Sequence, residues 1–305
     1  GLLAIFSSSL YMVLYSRFSW NPNILPFFIL FSFYALLKSV LSEGKKKGAW
    51  FLTMSALIAI TTQLHFNALL IVPPIVFVFL IIKKPRFKPK TWILSFLIIF
   101  IIYSPLIIND VKTNGKNFRY LTEKFLGKPG KSKNPTKTNV SEKAFQIARY
   151  DIYEYFLILT GNDQANKSRP QGYSLGLSCN SCKKNIPWRV TAILFFVLGV
   201  SLLIKNLLTE KEARKKDFLQ ILLLWLVFSS IYFFAITYKG LYIYPRFFLI
   251  VSPLPFILLG LIAEKMTIYK HKLGFFLFLL LVSIISWLNI EKIFILREKG
   301  EIVGI

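Results

Sequence analysis

The sequence predicts an all-α, polytopic helical membrane protein with about nine transmembrane helices and one long extracytoplasmic loop. Hydrophobic residues make up 55% of the 305, Phe alone occurs 30 times, and the mean hydropathy is +0.56. A soluble domain of this length could not bury that much apolar surface, whereas a bilayer accepts it. Apolar stretches of about 20 residues, the length that crosses a bilayer as a helix, also recur along the chain.

Nine apolar stretches are predicted to be spans. They lie at 1–14, 24–41, 49–64, 67–82, 91–108, 188–205, 218–236, 246–263 and 273–290. Only the polar group Thr61-Thr62-Gln63-Leu64-His65 separates the third from the fourth, so these two should form a tight helical hairpin. We treat 1–305 as a single transmembrane domain, with 109–187 as its long loop.

The basic residues of the short loops predict the orientation. Seventeen Lys and Arg lie in one set of alternate loops, against three in the opposite short loops. The seventeen are Lys38, Lys45, Lys46, Lys47, Lys83, Lys84, Arg86, Lys88, Lys90, Lys205, Lys211, Arg214, Lys215, Lys216, Lys265, Lys270 and Lys272. Short cytoplasmic loops carry an excess of Lys and Arg, which makes this set cytoplasmic. The localisation expected is a multi-pass cell membrane protein whose active face is extracytoplasmic.

The net charge of +24 would by itself suggest a nucleic-acid binder. However, the cations lie in short runs between apolar stretches, as they do where loops contact anionic lipid headgroups. The partner predicted by this pattern is the lipid bilayer, and no nucleic acid is expected.

The first outer loop reads Tyr15-Ser16-Arg17-Phe18-Ser19-Trp20-Asn21-Pro22-Asn23. One interpretation places Arg17 at the headgroups beside an aromatic belt. The other gives Arg17 a phosphate or pyrophosphate to bind, because its forked donors suit such groups. Asn21 would then adjoin the substrate.

The 61–66 turn contains His65, next to Gln63 and Asn67. A single His is more often structural than a ligand, but polar groups at membrane depth are costly and mark candidate functional sites. The other histidine, His271, is predicted on the cytoplasmic side, so a His-based metal site is not supported. The residues imply no cofactor, and they leave a divalent metal ion open.

The loop after the seventh span contains Lys239, Tyr242, Tyr244 and Arg246. Aromatic faces stack on sugar rings and cations offset phosphate charge, so the loop suits a sugar phosphate. An interfacial aromatic belt with one arginine at the headgroups is the other interpretation. Asp110, at the end of the fifth span, is a further candidate for the substrate site.

The long segment 109–187 contains an amphipathic stretch. Residues 143–160 place Phe145, Ala148, Ile152, Tyr155, Phe156 and Leu159 on one helical face, which predicts a helix lying in the outer interface. Cys179 and Cys182 are the only cysteines, and either a short disulfide or two free thiols would fit.

Four stretches resemble membrane glycosyltransferases of the GT-C superfamily. They are "SSSLYMVLYSRFSWNPNILPFFILFSFYALL", "TTQLHFNALLIVPP", "YSPLIINDVKTNGKNFRYL" and "YIYPRFFLIVSPLPFILLG". The branch they are similar to contains protein O-mannosyltransferases and lipid A aminoarabinose transferases (family 39-type). The similarity extends over nearly the whole chain, through short and degenerate motifs.

The resemblance implies a cell-envelope enzyme that moves a sugar from a polyprenyl-phosphate donor to a glycan, lipid or protein acceptor outside the membrane. It implies that Arg17, His65 and Arg246 contact the donor phosphate. Asn21, Asp110, Lys239, Tyr242 and Tyr244 are further candidates for the substrate site. The family's catalytic Asp or Glu lies in an outer loop after the first span, and the chain begins later than that loop. The resemblance therefore places the catalytic acid upstream of Gly1.

Two other functions stay open. An O-antigen polymerase or ligase also joins lipid-linked sugars outside the membrane and has outer-loop arginines. A non-enzymatic flippase or transporter of lipid carriers would instead need polar residues along a central path. The polar groups here gather at the outer ends of the spans, which favours the transferase.

Overall fold

The computed structural model describes residues 2–16, 21–116, 118–119, 122–123, 152, 155–160, 186–238, 245–269 and 271–298. Every regular element in these residues is helical. The α-helices are α1 (Leu2–Ser8), α2 (Leu10–Ser16), α3 (Leu25–Leu41), α4 (Gly44–Leu64), α5 (Phe66–Lys83), α6 (Pro89–Lys112), α7 (Ile186–Thr209), α8 (Ala213–Tyr238), α9 (Pro253–Tyr269) and α10 (His271–Glu298). A first 3-10 segment, Asn21–Ile24, precedes α3, and a second, Pro245–Ile250, precedes α9.

Five helices in the described ranges are long and apolar enough to cross a membrane. The five stretches are Phe66–Lys83, Pro89–Lys112, Val190–Thr209, Ala213–Ile236 and Lys272–Ile295. They coincide with the predicted spans at 67–82, 91–108, 188–205, 218–236 and 273–290. The described part of the chain is therefore all-helical and has five candidate membrane spans, while the total of nine stays a prediction.

The four other predicted spans are helical but shorter or less apolar. Helix α3 is apolar but has 17 residues. Helix α4 has 21 residues, of which Lys45, Lys46 and Lys47 lie in its first turn. The predicted span 246–263 begins as the second 3-10 segment and becomes α-helical only at Pro253.

The first predicted span, 1–14, is broken at Ser9 into α1 and α2. The break leaves the buried amide of Leu10 without a partner in its own helix, and this amide donates a hydrogen bond to Asn289 Oδ1 at 2.8 Å. The Asn289 amide group in turn donates to the carbonyls of Leu159 (2.7 Å) and Ile285 (2.8 Å). Because a buried backbone group needs a partner, this side chain of α10 makes the break stable.

Residues 155–160 form a short helical stretch inside the bundle. All six side chains are buried, including Leu157 and Ile158, which lie off the predicted apolar face. The carbonyl of Ile158 accepts from Ser9 Oγ at 2.6 Å, and that of Thr160 accepts from Lys292 Nζ at 3.1 Å. Except for Ile152, the predicted interfacial helix before residue 155 lies outside the described residues, as do Cys179 and Cys182.

Polar contacts join α4 to α6. Ser55 Oγ and Ser95 Oγ lie 2.6 Å apart, and Gln63 Nε2 donates to the Ile102 carbonyl at 2.6 Å. Ser95 is also the one buried residue of α6. Helices have little hydrophobic reason to associate inside lipid, so hydrogen bonds and close packing hold such a peripheral helix.

Helices α5 and α8 pack against each other in an antiparallel arrangement. Lys83 at the end of α5 forms an ion pair with Asp217 near the start of α8. The Asp217 side chain is 6% exposed and that of Lys83 is 20% exposed. The pair fixes the register between the two helices.

The loops separate onto two ends of the bundle. We call the "basic end" the one where Lys83, Asp217, Glu212 and Lys38 lie, since α3 and α5 finish there and α8 starts there. We call the opposite end, with His65 and both 3-10 segments, the "loop end". Lys38 and Lys83 are among the seventeen basic residues predicted to lie on one side. Helices α3, α4, α5 and α8 therefore run in alternating directions between the two ends, as the sequence predicts.

The hairpin of α9 and α10 is very tight. A Cβ added at Gly274 would overlap sterically with the Met266 carbonyl oxygen. Where α9 packs on α1, a Cβ on Gly260 would meet Leu2 Cδ1 at 2.8 Å. Small residues let the backbones of neighbouring helices approach closely. Gly274 of α10 allows the close approach of α10 to α9, and Gly260 of α9 allows that of α9 to α1.

Candidate functional site

Three segments that the sequence places in separate outer loops meet at the loop end. The first 3-10 segment contacts the second, and the second also contacts α3 and α5. Phe247 of the second segment packs its ring against His65, with centroids 5.6 Å apart. The next residue, Phe248, stacks on Phe233 of α8 at 4.5 Å.

His65 forms the junction between α4 and α5. Its extended backbone (φ −152°, ψ 126°) ends one helix and begins the next. Its Nδ1 atom accepts a hydrogen bond from the Asn67 backbone N–H at 3.2 Å, which caps the start of α5. With Nδ1 acting as an acceptor, a neutral imidazole carries its proton on Nε2, where it is a donor.

The register of α5 and α8 shows which side chains share the level of His65. Asn67 lies 16 residues from Lys83, and Phe233 lies 16 residues from Asp217. At about 1.5 Å per residue both are roughly 24 Å from the ion pair. The stacking of Phe233 on Phe248 agrees, because Phe248 belongs to the segment that packs on the start of α5.

Three buried donors without a partner among the described residues lie within about two helical turns of this level, on α5 and α8. Asn67 Nδ2, Ser229 Oγ and Tyr232 Oη are buried and have no hydrogen-bond partner among the described residues. Their residues are 5%, 0% and 6% exposed. Ser229 and Tyr232 are three residues apart, so they lie on the same face of α8. Buried polar groups are nearly always paired in proteins, which makes these donors a candidate binding site.

The predicted site residues are described to different extents. Arg17, Lys239, Tyr242 and Tyr244 lie outside the described residues. Asn21 and Arg246 are described by their backbone alone, each within a 3-10 segment at the loop end. His65 is described in full and lies beside Phe247. The backbones of Asn21 and Arg246 and the side chain of His65 therefore share one end of the bundle.

Asp110 lies near the end of α6. Its Oδ1 accepts a hydrogen bond from the Phe118 backbone N–H at 3.4 Å, and its carbonyl accepts from the Gly115 N–H at 2.8 Å. Asn114 and Gly115 have positive φ angles of 53° and 72°, the left-handed conformation that ends helices. In this structure Asp110 therefore takes part in ending α6, and its role toward a substrate stays a prediction.

Within the described part of the chain, no three His, Cys, Asp or Glu side chains come together as metal ligands. The donors at the loop end are neutral amide, hydroxyl and imidazole groups. Such groups donate hydrogen bonds to an oxyanion. The chemistry of this set therefore suits an acidic oxygen-rich ligand better than a divalent cation, which prefers carboxylates.

The sequence interpretation missed Ser229 and Tyr232. Both lie within an apolar stretch of α8, where an occasional hydroxyl-bearing residue is common and these two form no recognisable motif. Asn67 was noticed only as a neighbour of His65. The signal that identifies them is three-dimensional: each is buried, and none has an acceptor among the residues that the structure describes.

Comparison with known proteins found no matching family model, no matching curated protein and no matching solved structure. The resemblance to GT-C glycosyltransferases therefore rests on the sequence motifs alone.

Proposed function

We propose that the protein is a membrane glycosyltransferase that binds a polyprenyl-phosphate-linked sugar at the loop end and passes the sugar to an acceptor on the extracytoplasmic side. The observation that carries this proposal is that Asn67, next to His65, and Ser229 and Tyr232, toward the same end of α8, are buried donors without partners among the described residues. A phosphate group offers several acceptor oxygens to such donors, and its prenyl chain would lie in the surrounding lipid.

In this proposal the positive charges of the site are those of two arginines, one in the second 3-10 segment and one in the loop before the first. Arg246 belongs to the second 3-10 segment, and Arg17 precedes the first by four residues. Because the two 3-10 segments contact each other, we propose that both guanidinium groups reach one phosphate. A guanidinium group makes paired, charge-assisted hydrogen bonds to phosphate oxygens.

The chemistry follows from where charge develops during transfer. As the sugar leaves its carrier, the bond from the anomeric carbon to the phosphate oxygen breaks, and that oxygen keeps the electron pair. Fixed donors and cations aimed at this oxygen stabilise the transition state more than the ground state. The Phe247 ring beside His65 offers an apolar face of the kind on which sugar rings stack.

A binding measurement tests the proposal on this chain directly. The protein in lipid nanodiscs is titrated with undecaprenyl phosphate, with undecaprenol as the control ligand that lacks the phosphate. Removing one charge-assisted contact costs about 1.5–3 kcal/mol, so Arg17→Ala and Arg246→Ala should each weaken phosphate binding about tenfold or more. Tyr232→Phe should weaken it less, since one neutral donor is lost.

Arg86→Ala is the matched control, because it removes the same charge from an exposed position near the basic end. Its binding should equal that of the unaltered protein. Equal binding of undecaprenol and undecaprenyl phosphate, or an equal loss in Arg86→Ala and Arg246→Ala, would contradict the proposal.

A further inference from the structure

A cavity of about 430 Å³ lies between α3 and α8 and opens toward the basic end, whereas the proposed donor site lies toward the loop end. Its inner wall is apolar and consists of Phe33, Ile221, Leu222, Trp225 and Ile257. Pockets that bind small molecules have volumes of about 300–1,000 Å³, so this one is of a size that holds a ligand.

The cavity opens sideways at a surface whose exposed apolar side chains suit contact with lipid acyl chains. Leu30, Tyr34 and Phe218 on its rim are each exposed by about two-fifths, at 40%, 44% and 40%. The depth is closed by Trp225, which is fully buried and packs its ring edge against Phe33 with centroids 5.1 Å apart. A molecule could therefore enter from the bilayer without crossing water.

The polar end of the cavity is cationic. Lys38, Arg214 and Lys215 line it, together with one acid, Glu212. Glu212 is paired with Lys215 at 3.0 Å. Among the described residues, Lys38 and Arg214 have no carboxylate within ion-pair distance, and Lys38 instead lies over the Tyr34 ring at 5.6 Å from its centroid. Two uncompensated cations thus stand at the mouth of an apolar cleft.

The Trp225 indole N–H supplies a second observation. Nε1 is buried, and it has no acceptor among the described residues. An apolar residue would fill the wall equally well, so an unpaired donor here is a cost unless a ligand atom accepts its hydrogen bond. The cavity therefore has the features of a built site, with apolar walls, one deep donor and a cationic mouth.

We propose that this cavity binds an anionic glycerophospholipid. One acyl chain occupies the apolar cleft, and the phosphate of the headgroup lies between Lys38 and Arg214. An ester carbonyl is the group in such a lipid that accepts a hydrogen bond below the headgroup, and it is the acceptor we assign to the Trp225 N–H. Basic pockets between transmembrane helices recognise anionic headgroups by this combination of charge and shape. The site is independent of the proposed transferase activity.

The experiment measures which lipids the protein retains. The full chain is reconstituted in vesicles of equal amounts of phosphatidylglycerol and phosphatidylcholine, extracted gently, and analysed by native mass spectrometry. The unaltered protein should retain phosphatidylglycerol in clear excess. The double variant Lys38→Gln/Arg214→Gln should lower the retained ratio of the two lipids about tenfold.

Two further variants keep the result interpretable. Lys45→Gln/Lys46→Gln removes two exposed charges from the start of α4 and should leave the ratio unchanged. Leu37→Trp adds bulk to the cavity wall without changing charge, and it should reduce retention of phosphatidylglycerol. An equal loss in both double variants shows attraction to the membrane surface as a whole, and it overturns the site. Retention that Leu37→Trp leaves intact, or equal retention of the two lipids, overturns it as well.

Discussion

Asn289 holds separate parts of the described fold together through its side-chain hydrogen bonds. One amide side chain accepts from the Leu10 N–H and donates to the carbonyls of Leu159 and Ile285, so it joins three parts of the chain. It is fully buried. A side chain in this position is a structural residue of the bundle, because each of its polar atoms already has a backbone partner.

Asn289→Leu should therefore destabilise the protein. The substitution keeps a similar size but leaves the Leu10 N–H and the Leu159 carbonyl buried without partners, at roughly 1–3 kcal/mol for each such group. The free energy of unfolding is measured in mixed micelles by titration with a denaturing detergent. Asn206→Leu is the control, since its side chain is only partly buried and makes no hydrogen bond to another described residue. Equal stability of the two variants would contradict the structural role.

At this scale the sequence was informative about His65 and uninformative about its neighbours. Polar residues between two apolar stretches, such as His65 with Gln63 and Asn67, can be recognised from the sequence alone. Ser229 and Tyr232 cannot, because their relevance arises only when α8 packs on α5 and no acceptor faces them. The break at Ser9 could not be predicted either, since it depends on a residue 279 positions away from Leu10.

Among the elements, the packing of α5 on α8 determines where the candidate site lies. The Lys83–Asp217 ion pair fixes their register at the basic end, and the stack of Phe233 on Phe248 agrees at the loop end. The position of the candidate site thus depends on a contact about 24 Å away along the helices. Charged residues buried in a membrane protein are costly when single, and they are tolerated when paired.

Lys83→Met should cost roughly 3 kcal/mol of unfolding free energy, because it leaves the Asp217 carboxylate buried without its cation. The double variant Lys83→Met/Asp217→Leu should recover most of that loss. Lys215→Met is the comparison: its pair with Glu212 has side chains 63% and 52% exposed, and removing it should cost under about 1 kcal/mol. A double variant as unstable as Lys83→Met alone would show that the ion pair does not fix these helices.

Apolar length predicted the helices well and their ends poorly. Five predicted spans coincide with helices that are long and apolar enough to cross a bilayer. The predicted span 246–263 begins instead as a 3-10 segment, which hydropathy alone could not reveal because both conformations bury the same apolar residues. Residues 155–160 are buried on all sides, beyond the one face that their periodicity indicated.

For the whole molecule, the distribution of charge separates two chemistries. The basic end has the cavity with Lys38 and Arg214 at its mouth. Toward the loop end, α5 and α8 have neutral buried donors without partners in the described part of the chain. The orientation we propose, with the basic end in the cytoplasm, follows from the excess of Lys and Arg in the short loops at that end.

Cysteine labelling tests this orientation. In a background with Cys179→Ser and Cys182→Ser, single cysteines replace Lys116 beyond α6 and Lys45 at the start of α4; both positions are exposed. A membrane-impermeant maleimide should label the first in intact cells and the second only after the membrane is opened. The reverse pattern would place the candidate site in the cytoplasm and contradict an extracytoplasmic transfer.

The claim that the loop end binds a lipid-linked phosphate is tested most directly by photo-crosslinking. A photoreactive phenylalanine analogue replaces Phe247, whose ring lies 5.6 Å from that of His65, and in a second protein it replaces Phe27, which is 62% exposed in the first turn of α3. Both proteins are irradiated with undecaprenyl phosphate. We expect a crosslink at position 247 that excess undecaprenol does not compete away, and a weaker one at position 27 that it does. Crosslinks of equal strength at the two positions, both removed by undecaprenol, would show that only the lipid chain is recognised.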